Sequence, residues 1–332
     1  MADLTRRRFI GIAAAAAGLA GLSRADLARA GVSETVWTGT ALGGRASIRL
    51  LHPDRAEAER LIDAARTLIA RLERVFSLYD PGSALVRLNR EGALAAPPVD
   101  LVTLLDRARG FSEETGGAFD PTVQPLWRLY AEHFRDYARR DGPSEAAVAA
   151  ALAAVGWRDL EVSAKRIAFA RPGMALTLNG IAQGYITDRV AALLAQAGLE
   201  HALLDLGEIR PLGRRADGEP WSVGIADPAR AGAILTRIAA GDRAVATSAP
   251  VGFGFDANGR HRHLLDPRTG AARALHASVT VLAADATTAD ALSTAFSQMP
   301  VEAIDAILRR RGDVGVILAG PSGLDRRGRV PA

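Results

Sequence analysis

The hydrophobic residues of this chain recur with two different periods, and the period changes at turn-forming residues. Between residues 56 and 76, apolar side chains return every three or four positions with Arg and Glu between them, which predicts an amphipathic helix. Ser83 is placed to cap a short helix that follows. The same helical spacing predicts further helices over residues 99–115, 144–155, 185–197, 283–296 and 301–311.

Shorter apolar runs bounded by turn residues predict β-strands. They lie at residues 36–51, 160–169, 175–178, 201–206, 209–212, 221–225, 234–238, 245–247, 279–283 and 314–318. We expect 160–169 and 175–178 to pair through a turn at 172–173, and Asn-Gly at 258–259 to form a hairpin. Residues 127–137 mix aromatic residues with charges and are predicted to form a solvated surface. Because helices and hairpins are interspersed without regular alternation, the pattern predicts an α+β fold in a single compact unit.

The amino-acid composition excludes some classes of protein and function. The chain has 332 residues, of which 48% are hydrophobic, so it can bury a sizeable core. Its net charge is +4, but the Arg residues are scattered and aromatic residues make up only 5%, which argues against nucleic-acid binding. With no cysteine, the chain forms no disulfide and offers no thiolate ligand to a metal.

The N-terminus has the layout of an export signal. Residues 5–10, TRRRFI, lead into an uncharged run that ends at Leu22, and a small-residue cleavage site follows at 28–30. The paired arginines resemble the twin-arginine signal, so we expect residues 1–30 to be a signal peptide and residues 31–332 to act in the periplasm. After cleavage no stable membrane insertion is expected. The alternative is an uncleaved N-terminal membrane anchor.

Residues 283–296 carry the first candidate chemistry. Asp290, Ser293 and Thr294 stand at i, i+3 and i+4, a spacing that brings side chains together on one helix face. A carboxylate and two hydroxyls supply part of a Mg²⁺ site, because Mg²⁺ prefers oxygen ligands and keeps positions for water and phosphate. The alternative is that Thr287 or Thr288 caps the helix, Asp290 favours its positive first turn, and the two hydroxyls face solvent.

Glycines at residues 180 and 184 stand where a helix is predicted to begin. Unpaired N–H groups and the helix dipole at such a position attract an anion such as phosphate. The alternative is that the glycines serve close packing or a cap. The segment matches neither a phosphate-binding Walker loop nor the dinucleotide fingerprint.

Residues 261–270 form a polar segment before a tight turn. Strand alternation would put His261, His263 and Leu265 on one face, and a neutral imidazole at His263 is suited to accept a proton near pH 7. The two histidines are also possible zinc ligands, but no third ligand stands at a familiar spacing. The alternative is an ordinary hairpin. Tyr79 and Asp120 each lie beside a proline in a turn, where either alone is typical of a structural residue.

Five ordered motifs resemble the FAD:protein FMN transferase (ApbE) family. They are YDPGSALVRLN, GAFDPTV, NGIAQGY, HLLDPRTG and SVTVLAADATTADALSTAF, and the resemblance runs from Leu42 to about Leu318. It implies an exported protein with an α+β, T-fold-related structure that binds FAD with Mg²⁺. It also implies transfer of the FMN moiety to a Ser or Thr hydroxyl of a partner flavoprotein, through a phosphoester bond and with release of AMP. Such partners carry a Ser/Thr-Gly-Ala-Ser/Thr-like motif.

The resemblance also implies roles for individual residues. The Mg²⁺ ligands are expected to be Asp290, Thr294 and Ser293, with a main-chain oxygen of Gly180. Contacts with the flavin nucleotide are expected at eight positions: Leu42, Tyr79, Ala118, Phe119, Asp120, Thr177, Gln183 and Leu265. His263, three residues before the Asp-Pro pair, is the expected base.

The chain departs from the family pattern at four places. Thr177 replaces a usual acid, Gln183 replaces a usual Lys or Glu, residues 205–209 read DLGEI where the family has NLGGDI, and residues 249–250 read Ala-Pro where the family has Gly and an acid. Two alternatives to the transferase therefore stay open. One is an FAD pyrophosphatase that produces FMN and AMP, and the other is a non-catalytic periplasmic FAD-binding protein.

Overall fold

A computed structural model describes residues 31–135, 141–230, 232–250, 254–256, 258–320 and 323–331. The predicted signal peptide, residues 1–30, lies outside the described residues and stays a prediction. Among the helices within those ranges, none combines the length and the apolar character needed to cross a bilayer.

Eight α-helices form in the described ranges, and most lie where the helical periodicity predicts them. In chain order they are α1 (Arg55–Phe76), α2 (Ala84–Glu91), α3 (Val99–Glu114), α4 (Gln124–His133), α5 (Glu145–Leu152), α6 (Ala182–Gln196), α7 (Ala286–Phe296) and α8 (Val301–Arg310). The predicted cap of α2 is confirmed, because the Ser83 Oγ accepts a hydrogen bond from the Val86 N–H at 3.0 Å.

Thirteen β-strands in the same ranges form three antiparallel sheets. They are β1 (Ser33–Ala41), β2 (Gly44–His52), β3 (Ala93–Ala95), β4 (Leu160–Val162), β5 (Arg166–Phe169), β6 (His201–Asp205), β7 (Ile209–Leu212), β8 (Ser222–Ala226), β9 (Ile234–Ala239), β10 (Ala244–Ser248), β11 (Ser278–Ala283), β12 (Gly315–Gly320) and β13 (Gly323–Gly328). The main sheet has the order β1-β2-β6-β7-β10-β11-β12-β13, and the smaller sheets have the orders β3-β5-β4 and β8-β9. The predicted α+β fold is confirmed.

The central strands of the main sheet are buried on both faces. Along β12, Val316 and Leu318 pack into the larger hydrophobic cluster with helices α1, α6 and α7, as strand alternation requires. Ile317, between them, packs on the opposite face in a second cluster that includes Val223 and Ile238 of the β8–β9 hairpin. Every residue of β11 is buried. The helix that follows β11, α7, is therefore fixed directly to the core.

A third hydrophobic cluster surrounds α4 and is separate from the other two. Leu126 and Tyr130 of α4 pack there with Phe134 and Leu265, and the Tyr130 hydroxyl donates a hydrogen bond to the Gly270 carbonyl at 2.9 Å. The prediction of a solvated surface at residues 127–137 is thus wrong over its described part. Its aromatic side chains face this cluster, and only its charged side chains remain outside.

The strand pairing predicted for residues 160–169 with 175–178 is also wrong. Instead β4 turns back on β5, where the Ser163 N–H donates to the Arg166 carbonyl at 2.9 Å, and β3 pairs with the other side of β5. Residues 174–178 belong to no strand, because an asparagine side chain from α2 satisfies the main chain of Leu176. Their apolar character reflects burial in a loop.

The Asn-Gly hairpin predicted at residues 258–259 is reduced to a minimal turn in the part that the structure describes. Gly259 adopts a φ of +61°, as a tight turn requires, but a single bridge joins Gly254 to Arg262.

Candidate functional site

Helices α6 and α7 touch at a point where α6 has no side chain. The Gly184 N–H, in the first turn of α6, donates a hydrogen bond to Asp290 Oδ2 at 3.0 Å. A Cβ at residue 184 would lie 2.9 Å from the Asp290 Cβ and would also strike the Ala286 carbonyl oxygen. Gly184 therefore serves close packing, the alternative that the sequence left open, and it orients the Asp290 carboxylate.

The four residues predicted to hold a metal lie together at this helix contact. A Cβ at Gly180 would lie 2.8 Å from Thr294 Oγ1, so the loop before α6 passes directly over that hydroxyl. The Ser293 Oγ hydrogen-bonds the Asp290 carbonyl at 3.0 Å and the Ser248 Oγ of β10 at 2.8 Å. Ser293 is only 1% exposed, so the alternative in which its hydroxyl faces solvent is wrong; Asp290 is also buried, at 4% exposed.

The N-terminus of α7 is capped by aspartates rather than by threonines. Asp285 is the N-cap and accepts a hydrogen bond from the Thr288 N–H at 2.9 Å. Asp188 of α6 accepts bonds from the Thr287 N–H at 2.8 Å and the Thr287 Oγ1 at 2.5 Å. The predicted cap at Thr287 or Thr288 is wrong, because Asp285 occupies the N-cap position. The contact of Asp188 could not be predicted from local sequence, because Asp188 lies 99 residues from Thr287 in the chain. Both aspartates favour the positive end of the helix.

Each of these capping aspartates has an arginine partner. Arg107 pairs with Asp285 at 2.7 Å, and Arg210 pairs with Asp188 at 3.0 Å. These arginines balance the negative charge at the N-terminus of α7. The carboxylate of Asp290, about one turn further along α7, has no such arginine partner among the described residues.

Asp290 is one of three acids that interact near the helix contact; Asp290 and Glu208 are buried, and Asp205 is half-buried. Burial raises the pKa of Asp290 to about 7, opposed by the Gly184 hydrogen bond and reinforced by the charge of Asp188. Burial likewise raises the pKa of Asp205 to about 6, against a hydrogen bond from the Gly207 N–H. For Glu208 burial and the charges of Asp290 and Asp205 raise the pKa well above its usual range. Asp205 and Glu208 were not among the predicted site residues, although DLGEI stood out as a departure.

These residues fit a Mg²⁺ ion. Asp290 offers a carboxylate, Thr294 and Ser293 offer hydroxyls, and the absence of a side chain at Gly180 lets its main chain approach Thr294 Oγ1 closely. In the described ranges, no group of three or more His, Cys, Asp and Glu side chains is arranged to hold a metal ion, so hydroxyl and main-chain oxygens would have to supply the other ligands. A partial oxygen shell of this kind is typical of Mg²⁺ sites that share the ion with water and phosphate.

Three predicted motifs converge on the loop that carries Gly180. The Asn89 side chain of α2 makes two hydrogen bonds with the main chain of Leu176. Its Nδ2 donates to the Leu176 carbonyl at 2.8 Å, and its Oδ1 accepts from the Leu176 N–H at 2.7 Å. The Thr177 N–H donates to the Pro121 carbonyl at 2.8 Å, next to Asp120. The structure thus brings Thr177 and Asp120 together beside the predicted metal residues.

A cavity of about 390 Å³ opens beside this loop. Its walls are Leu78, Tyr79, Val86, Asn89, Arg90, Gln124, Trp127, Arg128 and Asn179. Asn179 directly precedes Gly180, so the cavity adjoins the predicted metal residues. Aromatic surface next to arginines suits a ligand with a planar ring and a negative charge. Trp127 and Arg128 were missed because their segment was interpreted as solvated surface.

The predicted nucleotide residues at 118–120 are buried. Phe119 packs edge-on against Phe111 in the main core, with ring centroids 6.4 Å apart, and Ala118 lies in the same core. The Asp120 carboxylate accepts bonds from the Thr122 N–H and from the Trp157 N–H. Burial raises the pKa of Asp120 despite these bonds. This segment forms a rigid wall next to Thr177, and its contact with a nucleotide stays a prediction.

The remaining predicted residues lie around the same region. Leu42 has a φ of +47° in the β1–β2 turn, and its N–H donates to Glu73 near the end of α1, at 2.6 Å. Gln183, in the first turn of α6, packs its amide against Gly207. Leu265 is buried in the third cluster. Each of these residues stays a prediction as a flavin-nucleotide contact.

His263 belongs to a loop that is attached to the end of α7. The next residue, Leu264, accepts a hydrogen bond from Gln298 Nε2 at 2.9 Å, two residues beyond the helix. Arg268 donates to the Gln298 carbonyl at 2.8 Å. His263 is half-buried in this loop. Its role as a base stays a prediction.

The fold and this site define an α+β protein with an oxygen-lined candidate cation site beside a cavity, and comparisons with known proteins give the family. The model of the ApbE family matches residues 42–318. The "FAD:protein FMN transferase" of Treponema pallidum is 33% identical over 300 residues, covering 83% of this chain and 81% of that protein. The protein of the same name from Haemophilus influenzae is 29% identical and covers 72% of each chain.

Solved structures agree. "Flavin Transferase ApbE from Vibrio cholerae" matches with a TM-score of 0.77 and 28% identity, over 89% of this chain and 97% of that chain. The "apbe protein" of Thermotoga maritima matches with the same TM-score, identity and coverage. The chain is therefore an enzyme of the ApbE family.

Proposed function

We propose that the protein is a Mg²⁺-dependent FAD:protein FMN transferase. It would move the FMN moiety of FAD to a Ser or Thr hydroxyl of a partner flavoprotein and release AMP. The names of the relatives support the transferase activity. The observation that carries the Mg²⁺ and phosphate chemistry is the meeting of Gly180, Asp290, Ser293 and Thr294 beside a cavity with arginine and aromatic walls.

The proposed residues divide the work between binding and proton transfer. Asp290, Thr294, Ser293 and the Gly180 carbonyl would hold Mg²⁺. When bound, the ion would neutralise the pyrophosphate and favour departure of AMP. Tyr79 and the arginines of the cavity would bind FAD and orient its pyrophosphate towards the Gly180 loop.

His263 is the proposed general base. It would take the proton of the acceptor hydroxyl while the hydroxyl oxygen attacks the flavin-side phosphorus. The new bond joins that oxygen to phosphorus, and the bond from phosphorus to the bridging oxygen breaks, so AMP leaves with that oxygen.

The proposed partner is a periplasmic or membrane-attached flavoprotein with a Ser/Thr-Gly-Ala-Ser/Thr-like motif. The export signal predicted at residues 1–30 supports a periplasmic location. An acceptor of this kind would present its hydroxyl to the flavin-side phosphorus, and His263 would accept the proton of that hydroxyl.

One assay tests the proposal. Purified protein is mixed with FAD, Mg²⁺ and an acceptor domain, AMP is measured, and covalent flavin is followed by fluorescence on a denaturing gel. A matched acceptor with Ala in place of the target Ser or Thr is the control. Covalent flavin on the intact acceptor alone, together with AMP, is the expected result. AMP and unattached FMN would indicate a pyrophosphatase, and neither product would indicate a binding protein; either result contradicts the proposal.

A further inference from the structure

Glu208 is a buried acid close to the predicted metal residues that has no assigned role. It follows the turn from β6 to β7 and is 6% exposed. Pairing of Ile209 with Val245 of β10 brings Glu208 to the end of that strand, where the Thr247 N–H donates a hydrogen bond to its carboxyl group. The next residue, Ser248, hydrogen-bonds Ser293 on the helix that carries Asp290.

One oxygen of Glu208 is left without a partner. Its Oε2 is buried, and no hydrogen bond from any described residue reaches it. A buried carboxylate oxygen that has neither a hydrogen bond nor a cationic partner is costly, because burial removes the water that would otherwise solvate it. An orphaned oxygen in this position indicates that a group outside the chain completes its surroundings.

The surroundings of Glu208 also lack positive charge. Its acidic neighbours are Asp205 and Asp290, and within the described ranges none of the three forms a salt bridge with an arginine, lysine or histidine. The nearby acids Asp188 and Asp285 are different, because Arg210 and Arg107 pair with them. The chain therefore balances the helix-capping acids with arginines and leaves Asp290 and Glu208, both buried, without a cationic partner among the described residues.

We propose that Glu208 is a further ligand of the divalent cation assigned above to Asp290, Thr294, Ser293 and Gly180, with Oε2 as the ligating atom. The inference rests on the proposed function in that it uses the same cation. A second carboxylate is within the usual composition of Mg²⁺ sites. Asp205 is not proposed as a ligand because, unlike Glu208, it has no buried carboxylate oxygen left without a hydrogen-bond partner among the described residues.

A comparison of two variants distinguishes a ligand role for Glu208 from a purely electrostatic effect of a nearby acid. Glu208→Gln and Asp205→Asn each remove one negative charge from the same cluster with almost no change of shape. If Glu208 only contributes to the local field, the two variants weaken cation binding equally. If it ligates the ion, Glu208→Gln has the larger effect.

Mn²⁺ binding to the purified protein tests this without FAD or acceptor. Unbound Mn²⁺ is measured by electron paramagnetic resonance, Mg²⁺ is added to displace it, and thermal unfolding is recorded with Mn²⁺ and with EDTA. We expect Glu208→Gln to weaken Mn²⁺ binding about tenfold or more, and Asp205→Asn to weaken it clearly less. In EDTA, Glu208→Gln should unfold at the wild-type temperature or above it, because a buried unpaired acid is removed.

Three results would overturn the inference: wild-type affinity in Glu208→Gln, equal losses in the two variants, or no Mn²⁺ binding by the wild-type protein. Glu208→Ala is the second variant, and it should lose Mn²⁺ affinity as Glu208→Gln does. Because the titration contains no FAD, a wild-type protein that binds Mn²⁺ but transfers no flavin would contradict the proposed function and leave this inference intact.

Discussion

The Gly184 N–H lies 3.0 Å from Asp290 Oδ2 and joins the first turn of α6 to the middle of α7. The two helices come this close because residue 184 has no Cβ, which would otherwise strike the Ala286 carbonyl oxygen and the Asp290 Cβ. The position of the predicted metal carboxylate is therefore set by a residue that takes no part in the chemistry itself.

Gly184→Ala should separate α6 from α7. We expect a loss of about 1–3 kcal/mol in the free energy of unfolding, measured with urea, because the new methyl group meets backbone atoms that cannot move aside. Gly110→Ala is the matched control, since Gly110 lies within α3 with open space around it. That change should stabilise the protein by about 0.5–1 kcal/mol. Equal stabilities for the two variants would contradict the packing described here.

Asp290→Asn should abolish flavin transfer while the protein stays folded. The amide oxygen still accepts the Gly184 hydrogen bond, but the negative charge that would hold Mg²⁺ is lost. The wild-type protein in EDTA should behave in the same way when covalent flavin is measured. Asp305→Asn is the charge-matched control, because Asp305 lies on α8 and pairs with Arg327. Transfer at the wild-type rate by Asp290→Asn would remove it from the metal site.

His263→Ala should bind FAD normally and transfer flavin about 10²–10⁴-fold more slowly, the usual contribution of a general base. FAD affinity is measured by flavin fluorescence and transfer by the gel assay under single-turnover conditions. His52→Ala, at the end of β2, controls for loss of an imidazole elsewhere. An unchanged transfer rate in His263→Ala would exclude the histidine from the mechanism.

Asn89→Ala should weaken FAD binding through the Gly180 loop. The substitution removes both bonds to Leu176, so this loop loses its attachment to α2. We expect KM for FAD to rise more than kcat falls, together with a loss of about 1–3 kcal/mol in stability from the main-chain groups left unpaired. Arg87→Ala, on the exposed face of the same helix, should change neither quantity. An unaltered KM in Asn89→Ala would show that the loop is held by other contacts.

The free energy of unfolding should fall in the acidic pH range as Asp100 becomes protonated. Burial alone would raise the pKa of Asp100, but hydrogen bonds from Arg71 and Tyr185 and the charge of Arg189 outweigh it and lower the pKa. A lowered folded-state pKa contributes stability that is present above the unfolded-state value of about 3.9 and is lost as the pH falls through the folded-state value. Asp100→Asn should therefore reduce the free energy of unfolding at pH 7, and its difference from wild type should shrink below about pH 4. A difference independent of pH would contradict this assignment.

The local sequence pattern was sufficient to predict most helices and strands, but not which segments they contact in the fold. The period of residues 56–76 predicted α1, and the short apolar run at 314–318 predicted β12, because each pattern reflects which side chains of the element are buried. The strand predicted at 175–178 was wrong because the main chain of Leu176 is satisfied by Asn89, 87 residues earlier. No local pattern encodes that contact.

The same distinction holds for the residues of the site, some of which could be predicted from local sequence and some of which could not. Spacing along one helix was enough to group Asp290, Ser293 and Thr294, and the family motif added Gly180. Asp188 and Glu208 were missed because their importance depends on what surrounds them. Asp188 reaches the N-terminus of α7 from 99 residues away, and the unpartnered oxygen of Glu208 exists only once β7 and β10 have paired.

The separate cluster around α4 divides the site mechanically. Asp290 and Gly184 are anchored through α6 and α7 to the main core, whereas Leu265, next to the His263 loop, and Trp127 of the cavity wall pack in the third cluster. Small clusters open locally at lower free energy than a central sheet. Local opening of the third cluster would therefore move the Trp127 side of the cavity while the Asp290 carboxylate stays attached to the main core.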